Sequence, residues 1–311
     1  MFEKVNPGHP DKMADRLSGA IVDLVYERAG GLTKANPRVA CEVMAGHGRV
    51  DVQIETSLGR MDLRAVDIDP LIRRLFGERV VGNVLIAPQD AHLSENQTRG
   101  LRCGDNGIFR GCPPTEEQRV LTSLAATIYE NFPYDGKYLA GGLMLNPGSE
   151  YQAEVYGVTI CQSHATEEEI DECMRQWEEA NFGEMKNYPF EASCINPLGP
   201  WTGGIDVDCG CTNRKLGSDM GDGVTGGGLM GKDLSKADVS VNIVCFLKAV
   251  HSGQTVTAMC SIGDESVTFQ YADGRRETET FADIVEMSRL YILTDCGGSF
   301  ERFAEWGLVR P

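Results

Sequence analysis

The sequence repeats one order of predicted elements, helix, strand, strand, helix, three times along its 311 residues. The first unit opens with an amphipathic helical pattern that ends at Gly30-Gly31. Two segments of alternating polarity follow and predict a pair of half-buried strands. The unit closes with a second helix, for which Asp69 is the predicted N-cap and Pro70 the first helical residue.

The second and third units follow the same order with little sequence identity. The second starts with a helix at Thr115, where Thr115 and Gln118 form a predicted capping box, and ends with a helix from Thr166. The third begins near Asp233 and has its strands within 254–271. We therefore predict an α+β protein with three similar domains in a pseudo-threefold arrangement, each a small sheet covered by helices.

Two stretches between the units, 80–112 and 183–232, are rich in Gly, Pro, Asp and Asn. Loops of this kind tend to carry binding groups. A chain of this length exceeds a single hydrophobic core, and we place the domains at 1–101, 102–200 and 201–311.

The charge and cysteine content argue against several classes of function. With 46 acidic and 29 basic residues, the net charge of -17 disfavours nucleic acids and membrane surfaces as partners. No apolar run is long enough to span a bilayer, and residues 1–12 lack the apolar region of a signal peptide, so we expect a cytoplasmic protein. The 11 cysteines contain no CxxC pair, and we expect them to be reduced and mostly buried.

The motif GHPDK, Gly8 to Lys12, places a histidine, a carboxylate and an ammonium group where the first helix begins. The free N–H groups and positive dipole end of a helix N-terminus favour a bound phosphate. The alternative is structural, with Asp11 as the helix cap and with His9 and Lys12 on the surface. The motif alone leaves both interpretations open.

The segment GGIDVDCGCTNRK, Gly203 to Lys215, carries two aspartates and two adjacent cations. Asp206 and Asp208 alternate with other residues and could project from one face of a short strand. The cation Arg214 stands beside Lys215, and such a set of charges suits a ligand with both phosphate and ammonium groups. A solvated hairpin with surface charges is the alternative for this segment alone.

The stretch GGGLMGKDLSKAD, 226–238, comes within one residue of a phosphate-binding P-loop. A P-loop follows a buried strand and ends in Ser or Thr, whereas no apolar strand precedes this stretch and Asp233 replaces the hydroxyl. We therefore reject a P-loop. Lys232 and Lys236 are predicted to share one helix face, and whether Asp238 reaches the same site depends on where the helix begins.

Six motifs occur in a fixed order, namely GHPDK, GDNG, DGK, INPLG, GGIDVDCGCTNRK and GGGLMGKDLSKAD. In this order they resemble those of the S-adenosylmethionine synthetases (methionine adenosyltransferases), over a region from about Gly8 to Asp238. The resemblance implies three α+β domains around a pseudo-threefold axis. It also implies a homodimer with active sites at the subunit interface.

The reaction implied is attack by the methionine sulfur on C5′ of ATP, with release of tripolyphosphate that is hydrolysed to pyrophosphate and phosphate. The catalytic residues implied, which hold the triphosphate, are His9, Lys137, Arg214, Lys215 and Lys232. Further ATP contacts are implied for Asp135, Trp201 and Asp208. Methionine contacts are implied for Glu55, Gln89, Asp105, Asp208 and Lys236. Mg²⁺ is implied at Asp11 and Asp238, and K⁺ at Glu42.

This chain departs from the family pattern at two motifs. Asn6-Pro7 stand where the family has Ser-Glu, and Pro200-Trp201 replace an Arg-Phe pair, so one cationic contact is lost while Trp201 can still stack on adenine. The chain is also shorter than typical members, which implies a trimmed periphery. Two alternatives stay open on the sequence: a triphosphate hydrolase, and a non-catalytic partner that regulates a full-length synthetase.

Overall fold

The structure is a computed structural model that describes residues 1–90, 100–145, 154–183 and 190–311. The helices of these ranges are α1 (Pro10–Arg28), α2 (Ala65–Phe76), α3 (Glu116–Asn131), α4 (Glu167–Phe182), α5 (Leu216–Met220), α6 (Ala237–Ser252), α7 (Phe281–Asp295) and α8 (Phe300–Trp306). The strands are β1 (Phe2–Val5), β2 (Val39–Gly46), β3 (Arg49–Thr56), β4 (Val81–Pro88), β5 (Gly107–Gly111), β6 (Gly136–Leu145), β7 (Glu154–Gln162), β8 (Phe190–Ile195), β9 (Gly210–Cys211), β10 (Val256–Cys260), β11 (Ser266–Tyr271) and β12 (Arg276–Thr280). The predicted α+β class is confirmed.

The described residues form three four-stranded sheets, and each sheet is centred on an antiparallel hairpin from one predicted unit. These hairpins are β2–β3, β6–β7 and β10–β11. The second strand of each hairpin pairs with the strand that follows it, which is β4, β8 or β12. The repeated order seen in the sequence therefore corresponds to a repeated sheet.

The remaining strand of each sheet comes from another unit. β1 precedes the first unit and pairs with β6 of the second, β5 precedes the second and pairs with β10 of the third, and β9 precedes the third and pairs with β2 of the first. This cyclic exchange ties the three units together. It also brings β1 and β9 to the start of α1. The division into domains at 1–101, 102–200 and 201–311 stays a prediction.

Each sheet buries one face and exposes the other. In β2, for example, Val43 is buried while its neighbours Glu42 and Met44 are exposed. The buried faces of the first and third sheets share one apolar core with α1, α6 and α7, and the second sheet packs with α3 and α4 into another. The exposed faces keep large apolar side chains, of which Leu85 is 60% and Met259 74% exposed.

Two helix starts lie where capping residues predicted them. Thr115 caps α3 through a capping box with Gln118, and Thr166 caps α4 in the same way. The start predicted for α2 at Pro70 is wrong, because the helix begins earlier and contains Pro70. The carboxylate of Asp67 accepts the Arg64 N–H at 2.9 Å and stabilises this earlier start.

The expectations for membrane spans and cysteines can be compared with the structure. In the described ranges, no helix combines the length and apolar character that crossing a membrane requires. Six of the 11 cysteines are buried, and Cys209 is exposed. The Sγ atoms of Cys103 and Cys260 lie 3.2 Å apart.

Candidate active site

His9 caps α1 and is nearly buried, with 7% of its surface exposed. Its Nδ1 accepts a hydrogen bond from the backbone N–H of Asp11 at 3.2 Å, so the alternative in which Asp11 caps the helix is wrong. Burial, together with the charges of Lys215 and Lys137, lowers the pKa of His9 to about 3. His9 is therefore neutral at pH 7. Because Nδ1 is the acceptor, the proton of the neutral ring lies on Nε2.

Asp11 directs its carboxylate at the segment that follows β9. Its Oδ1 accepts the Cys211 N–H at 2.8 Å and lies 3.4 Å from the Arg214 guanidinium. Its Oδ2 lies 3.9 Å from Lys215 Nζ, too far for a hydrogen bond. Burial raises the pKa of Asp11, and the partners of Oδ1 oppose that rise. One oxygen is thus fixed by the protein, while the other keeps the capacity to bind a cation.

Glu3 of β1 was not a sequence candidate, yet it lies between two predicted phosphate-binding lysines. Its carboxylate is 2.8 Å from Lys137 Nζ and 3.1 Å from Lys215 Nζ. Burial acts to raise the pKa of Glu3, but the hydrogen bonds from Lys137 and Lys215 outweigh it and lower the pKa. No sequence pattern marks Glu3, which is brought to the lysines by the pairing of β1 with β6, the strand that carries Lys137.

Asp135 precedes Lys137 by two residues and is buried, with 5% of its surface exposed. Its Oδ2 accepts the Gly204 N–H at 2.8 Å. Burial raises the pKa of Asp135 to about 6, and the nearby charge of Asp208 contributes to the rise. Asp208 itself is exposed and follows a 3-10 helix, Gly204–Asp206, so the short strand predicted there is wrong.

Trp201 lies beside the loop that carries Asp135. Its carbonyl oxygen accepts the His164 N–H at 2.9 Å, and the neighbouring Ser163 N–H donates to the Asp135 carbonyl at 2.8 Å. Trp201 is half-buried. The aromatic side chain predicted to stack on adenine is therefore attached to the same edge of the second sheet as Asp135.

Asp233, the residue that breaks the P-loop pattern, is fully buried and structural. Its Oδ2 accepts the Val39 N–H at 2.8 Å. Its Oδ1 accepts the N–H and the hydroxyl of Ser235, at 2.8 and 2.5 Å. Asp233 thus fixes the turn between Lys232 and α6.

Lys232 does not lie on a helix, because its backbone bridges Ala40 and α6 begins only after Lys236. The prediction that the two lysines share a helix face is therefore wrong. Asp238, in the first turn of α6, reaches Lys232 all the same, with Oδ2 2.6 Å from Nζ. Gly227 lies against this carboxylate, since a Cβ there would be 2.3 Å from Asp238 Oδ1.

Glu42 and Glu55 are exposed on the open face of the first sheet. The Thr212 hydroxyl, just after β9, donates a hydrogen bond to Glu42. Gln89 follows β4, and its backbone N–H donates to the Thr56 carbonyl at 2.9 Å. Gln89 is therefore attached to the end of the strand that carries Glu55.

Asp105 and Lys236 come together through the backbone. Asp105 is half-buried in a turn after Gly104, whose N–H donates to the Ser235 carbonyl at 3.1 Å. A Cβ on Gly104 would lie 2.8 Å from the same carbonyl oxygen. The turn thus packs against the residue that precedes Lys236, the N-cap of α6.

Two sets of candidate residues are each linked by ion pairs. The helix-start cluster comprises Glu3, His9, Asp11, Lys137, Arg214 and Lys215. The glycine-loop pair comprises Lys232 and Asp238. Within the ranges that the structure describes, no hydrogen bond or ion pair joins the pair to the cluster, and no group of three or more His, Cys, Asp or Glu side chains is arranged to hold a metal ion.

Comparison with known proteins agrees with the motifs. Residues 1–78 match the family model for the S-adenosylmethionine synthetase N-terminal domain. The S-adenosylmethionine synthase of Cereibacter sphaeroides is 29% identical over 272 residues, which cover 76% of this chain and 69% of the relative. That of Mesoplasma florum is 25% identical over 310 residues, covering 88% of this chain and 79% of the relative. The chain is therefore similar to the S-adenosylmethionine synthetases over most of its length.

Proposed function

We propose that this chain is a methionine adenosyltransferase that makes S-adenosylmethionine from ATP and L-methionine. The methionine sulfur attacks C5′ of ATP, tripolyphosphate leaves, and the enzyme hydrolyses it to pyrophosphate and phosphate. The observation that carries the proposal is the helix-start cluster, in which three cations and a neutral histidine converge on the N-terminus of α1. The names of the relatives supply the reaction class.

The cluster serves the leaving group. No covalent nucleophile is needed for displacement at C5′, so the protein contributes alignment and stabilisation of the charge that develops on the triphosphate. Lys137, Arg214 and Lys215 provide that stabilisation. The neutral His9 donates a hydrogen bond from Nε2 to a phosphate oxygen, since its Nδ1 is already occupied by a backbone N–H.

The cluster needs additional positive charge to bind a triphosphate. Glu3 and Asp11 offset two of its three cations. Mg²⁺ suits this requirement, because it is commonly bound by one or two carboxylates together with substrate phosphates. Asp11 fits as a ligand through Oδ2, and Asp238 fits through Oδ1, which faces Gly227. When bound, Mg²⁺ neutralises charge on the phosphates.

K⁺ is assigned in the proposal to Glu42. The side chain is exposed, and the Thr212 hydroxyl contacts one of its two oxygens, which leaves the other available. Carboxylate oxygens suit a hard cation. Glu42 and Asp11 lie on either side of the segment 211–212, so a cation at Glu42 can stabilise the position of the phosphate-binding residues that follow.

The active enzyme in this proposal is a homodimer. Among the described residues of one chain no ion pair joins the cluster of Asp11 to the pair of Asp238, and a second copy can bring the glycine-loop pair of one protomer to the helix-start cluster of the other. The exposed faces of the sheets support such an assembly, because Met44 and Leu85 are 56% and 60% exposed on the face that also carries Glu42 and Glu55. ATP, methionine and a second copy are the proposed partners, in the cytoplasm.

The experiment is to measure release of phosphate and pyrophosphate from ATP and Mg²⁺ with and without L-methionine. The proposal predicts release that depends on methionine, since tripolyphosphate forms only after sulfur attack. Release at the same rate without methionine would support a triphosphate hydrolase instead. No release under either condition would support a non-catalytic partner.

A further inference from the structure

Lys12, the last residue of GHPDK, is fully buried, and nothing in the proposed reaction uses it. Its Nζ lies 2.6 Å from Asp219 Oδ1 and 3.2 Å from Asp15 Oδ2. Both carboxylates are also fully buried. Lysine and aspartate are almost never buried this completely unless they are paired, so the three charges depend on one another.

The two carboxylates hold opposite ends of one short segment, 213–219. Asp15 Oδ1 accepts the Asn213 N–H at 2.8 Å, which fixes the residue before Arg214. Asn213 has a positive φ of 62°, so its backbone is held in an uncommon conformation. Asp219 belongs to α5, whose N-cap is Lys215. Lys12 therefore connects both ends of the segment that carries Arg214 and Lys215.

A second buried lysine supports the same segment from the other side. Lys4 Nζ donates to the carbonyls of Ser218 and Trp306, at 2.9 and 3.0 Å. The Asp219 carbonyl in turn accepts the Leu308 and Val309 N–H groups at 2.8 and 2.9 Å. Behind Arg214 and Lys215 there is thus a hydrogen-bonded base made of β1, α1 and residues 306–309.

Stability alone does not account for this arrangement. Buried ion pairs contribute little to stability compared with apolar residues of similar volume, because desolvation offsets their attraction. Asp219 Oδ2 lacks a hydrogen-bond partner among the described residues, so the cluster is also incompletely satisfied. What the ion pairs do provide is a fixed distance between α1 and the two ends of the segment.

We propose that Lys12, with Asp15 and Asp219, is a positioning group that holds Arg214 and Lys215 in place for the triphosphate. The inference rests on the proposed function, since it assumes that those two cations bind the triphosphate. It assigns a role to a motif residue that makes no contact with the ligand. Positioning of this kind affects catalysis because small displacements of a charged group weaken its interaction with the transition state.

The experiment uses Asp219→Asn, which keeps the shape of the side chain and removes its charge. Asp23→Asn is the matched control, because Asp23 is another largely buried carboxylate of α1 that holds a distant segment, accepting the Phe300 and Glu301 N–H groups at 2.7 and 3.1 Å. Binding of inorganic tripolyphosphate with Mg²⁺ is measured by calorimetry on the full chain. Circular dichroism checks that each variant is folded.

We expect Asp219→Asn to weaken tripolyphosphate binding at least tenfold and to lower kcat, while the KM for methionine changes less than twofold. Asp23→Asn should lower the melting temperature but leave tripolyphosphate affinity within twofold of the parent chain. In a Lys215→Met background, Asp219→Asn should cause a smaller further loss than in the parent chain, because part of its effect acts through Lys215. If Asp219→Asn does not fold, Asp15→Asn tests the same inference from the other end of the segment.

Tripolyphosphate affinity within twofold of the parent in a folded Asp219→Asn or Asp15→Asn variant would overturn the inference. Equal losses in Asp23→Asn would also overturn it, since they would reflect general destabilisation. A parent chain that binds no tripolyphosphate would refute the proposed site itself. That outcome is distinguishable because it appears before any variant is made.

Discussion

Replacing Lys215 by methionine tests whether the helix-start cluster stabilises the leaving group. Methionine keeps the length and apolar character of the side chain but removes the ammonium. Two unit charges about 4 Å apart interact by about 4 kcal/mol at an effective dielectric constant of about 20. The side chain is 17% exposed, so solvent screens it only partly. We therefore expect kcat to fall by about 10²- to 10³-fold, the range seen when one oxyanion-stabilising donor is removed.

The folded structure should tolerate this change. Glu3 loses one of its two cations but keeps Lys137 at 2.8 Å, and its own side chain is 37% exposed. Ion pairs at such partly exposed positions contribute about 1 kcal/mol or less. The melting temperature of Lys215→Met should therefore stay within a few degrees of that of the parent chain.

Lys248→Met is the matched control for Lys215→Met. Lys248 is a similarly covered lysine, 14% exposed, and it pairs with two carboxylates, Glu277 and Glu279, each at 2.8 Å, in the third sheet. The assay is the initial rate of sulfonium product at saturating ATP and methionine, with the KM for methionine measured alongside. An unchanged kcat in Lys215→Met, or an equal loss in Lys248→Met, would refute the assigned role.

Three further predictions concern the metal ligand, the histidine and the open sheet face. Gly227→Ala would place a Cβ 2.3 Å from Asp238 Oδ1, so the Mg²⁺ concentration for half-maximal activity should rise. Gly48→Ala is the control, because Gly48 has a similar positive φ but open space around its Cβ position, and this variant should leave that Mg²⁺ concentration unchanged. The unfolded chain protonates His9 below about pH 6.5, whereas the folded protein does so only near pH 3, so stability falls as pH drops through this window. The Asn side chain of His9→Asn does not titrate in this range. In urea unfolding, the free energy of unfolding of this variant should therefore fall between pH 7 and pH 4 by up to about 3 kcal/mol less than that of the parent chain. Leu85→Lys should shift the chain from dimer to monomer in light scattering and reduce activity, because it puts a charge on the proposed interface; an unchanged dimer would exclude this face.

Much of the fold could be predicted because the hairpins and helices at the centre of each unit are long and regular. The alternation of buried and exposed residues in β2 and β3 is visible in the sequence, as are the capping boxes at Thr115 and Thr166. The strands that complete the sheets could not be predicted. β1 and β9 are only four and two residues long, and they pair with segments far away in the chain.

The predicted site residues are brought together only in part by one chain. His9, Asp11, Lys137, Arg214 and Lys215 meet because β1 and β9 both reach the start of α1. The prediction that Lys232 lies on a helix face with Lys236 was wrong because Asp233 stabilises a turn through hydrogen bonds with Val39 and Ser235. Such contacts depend on residues distant in sequence, so local patterns do not reveal them.

The role of Glu3 and the ion pairs of Lys12 could not be predicted from local sequence patterns either. A carboxylate next to GHPDK has no pattern of its own, and its partners become apparent only when β1 is paired with β6. Lys12 belongs to a recognisable motif, yet its burial and its contact with Asp219 depend on α5. The motif therefore predicted the location of the site but not the side chains that support it.

The most direct test of the central claim is the identity of the product formed from ATP and L-methionine labelled with ¹³C on its methyl group. The chain is incubated with both substrates, Mg²⁺ and K⁺, and the products are analysed by mass spectrometry. We expect a labelled sulfonium compound that joins methionine to the adenosyl group, formed in equal amount to the pyrophosphate released. Consumption of ATP without any labelled adenosyl product would contradict it.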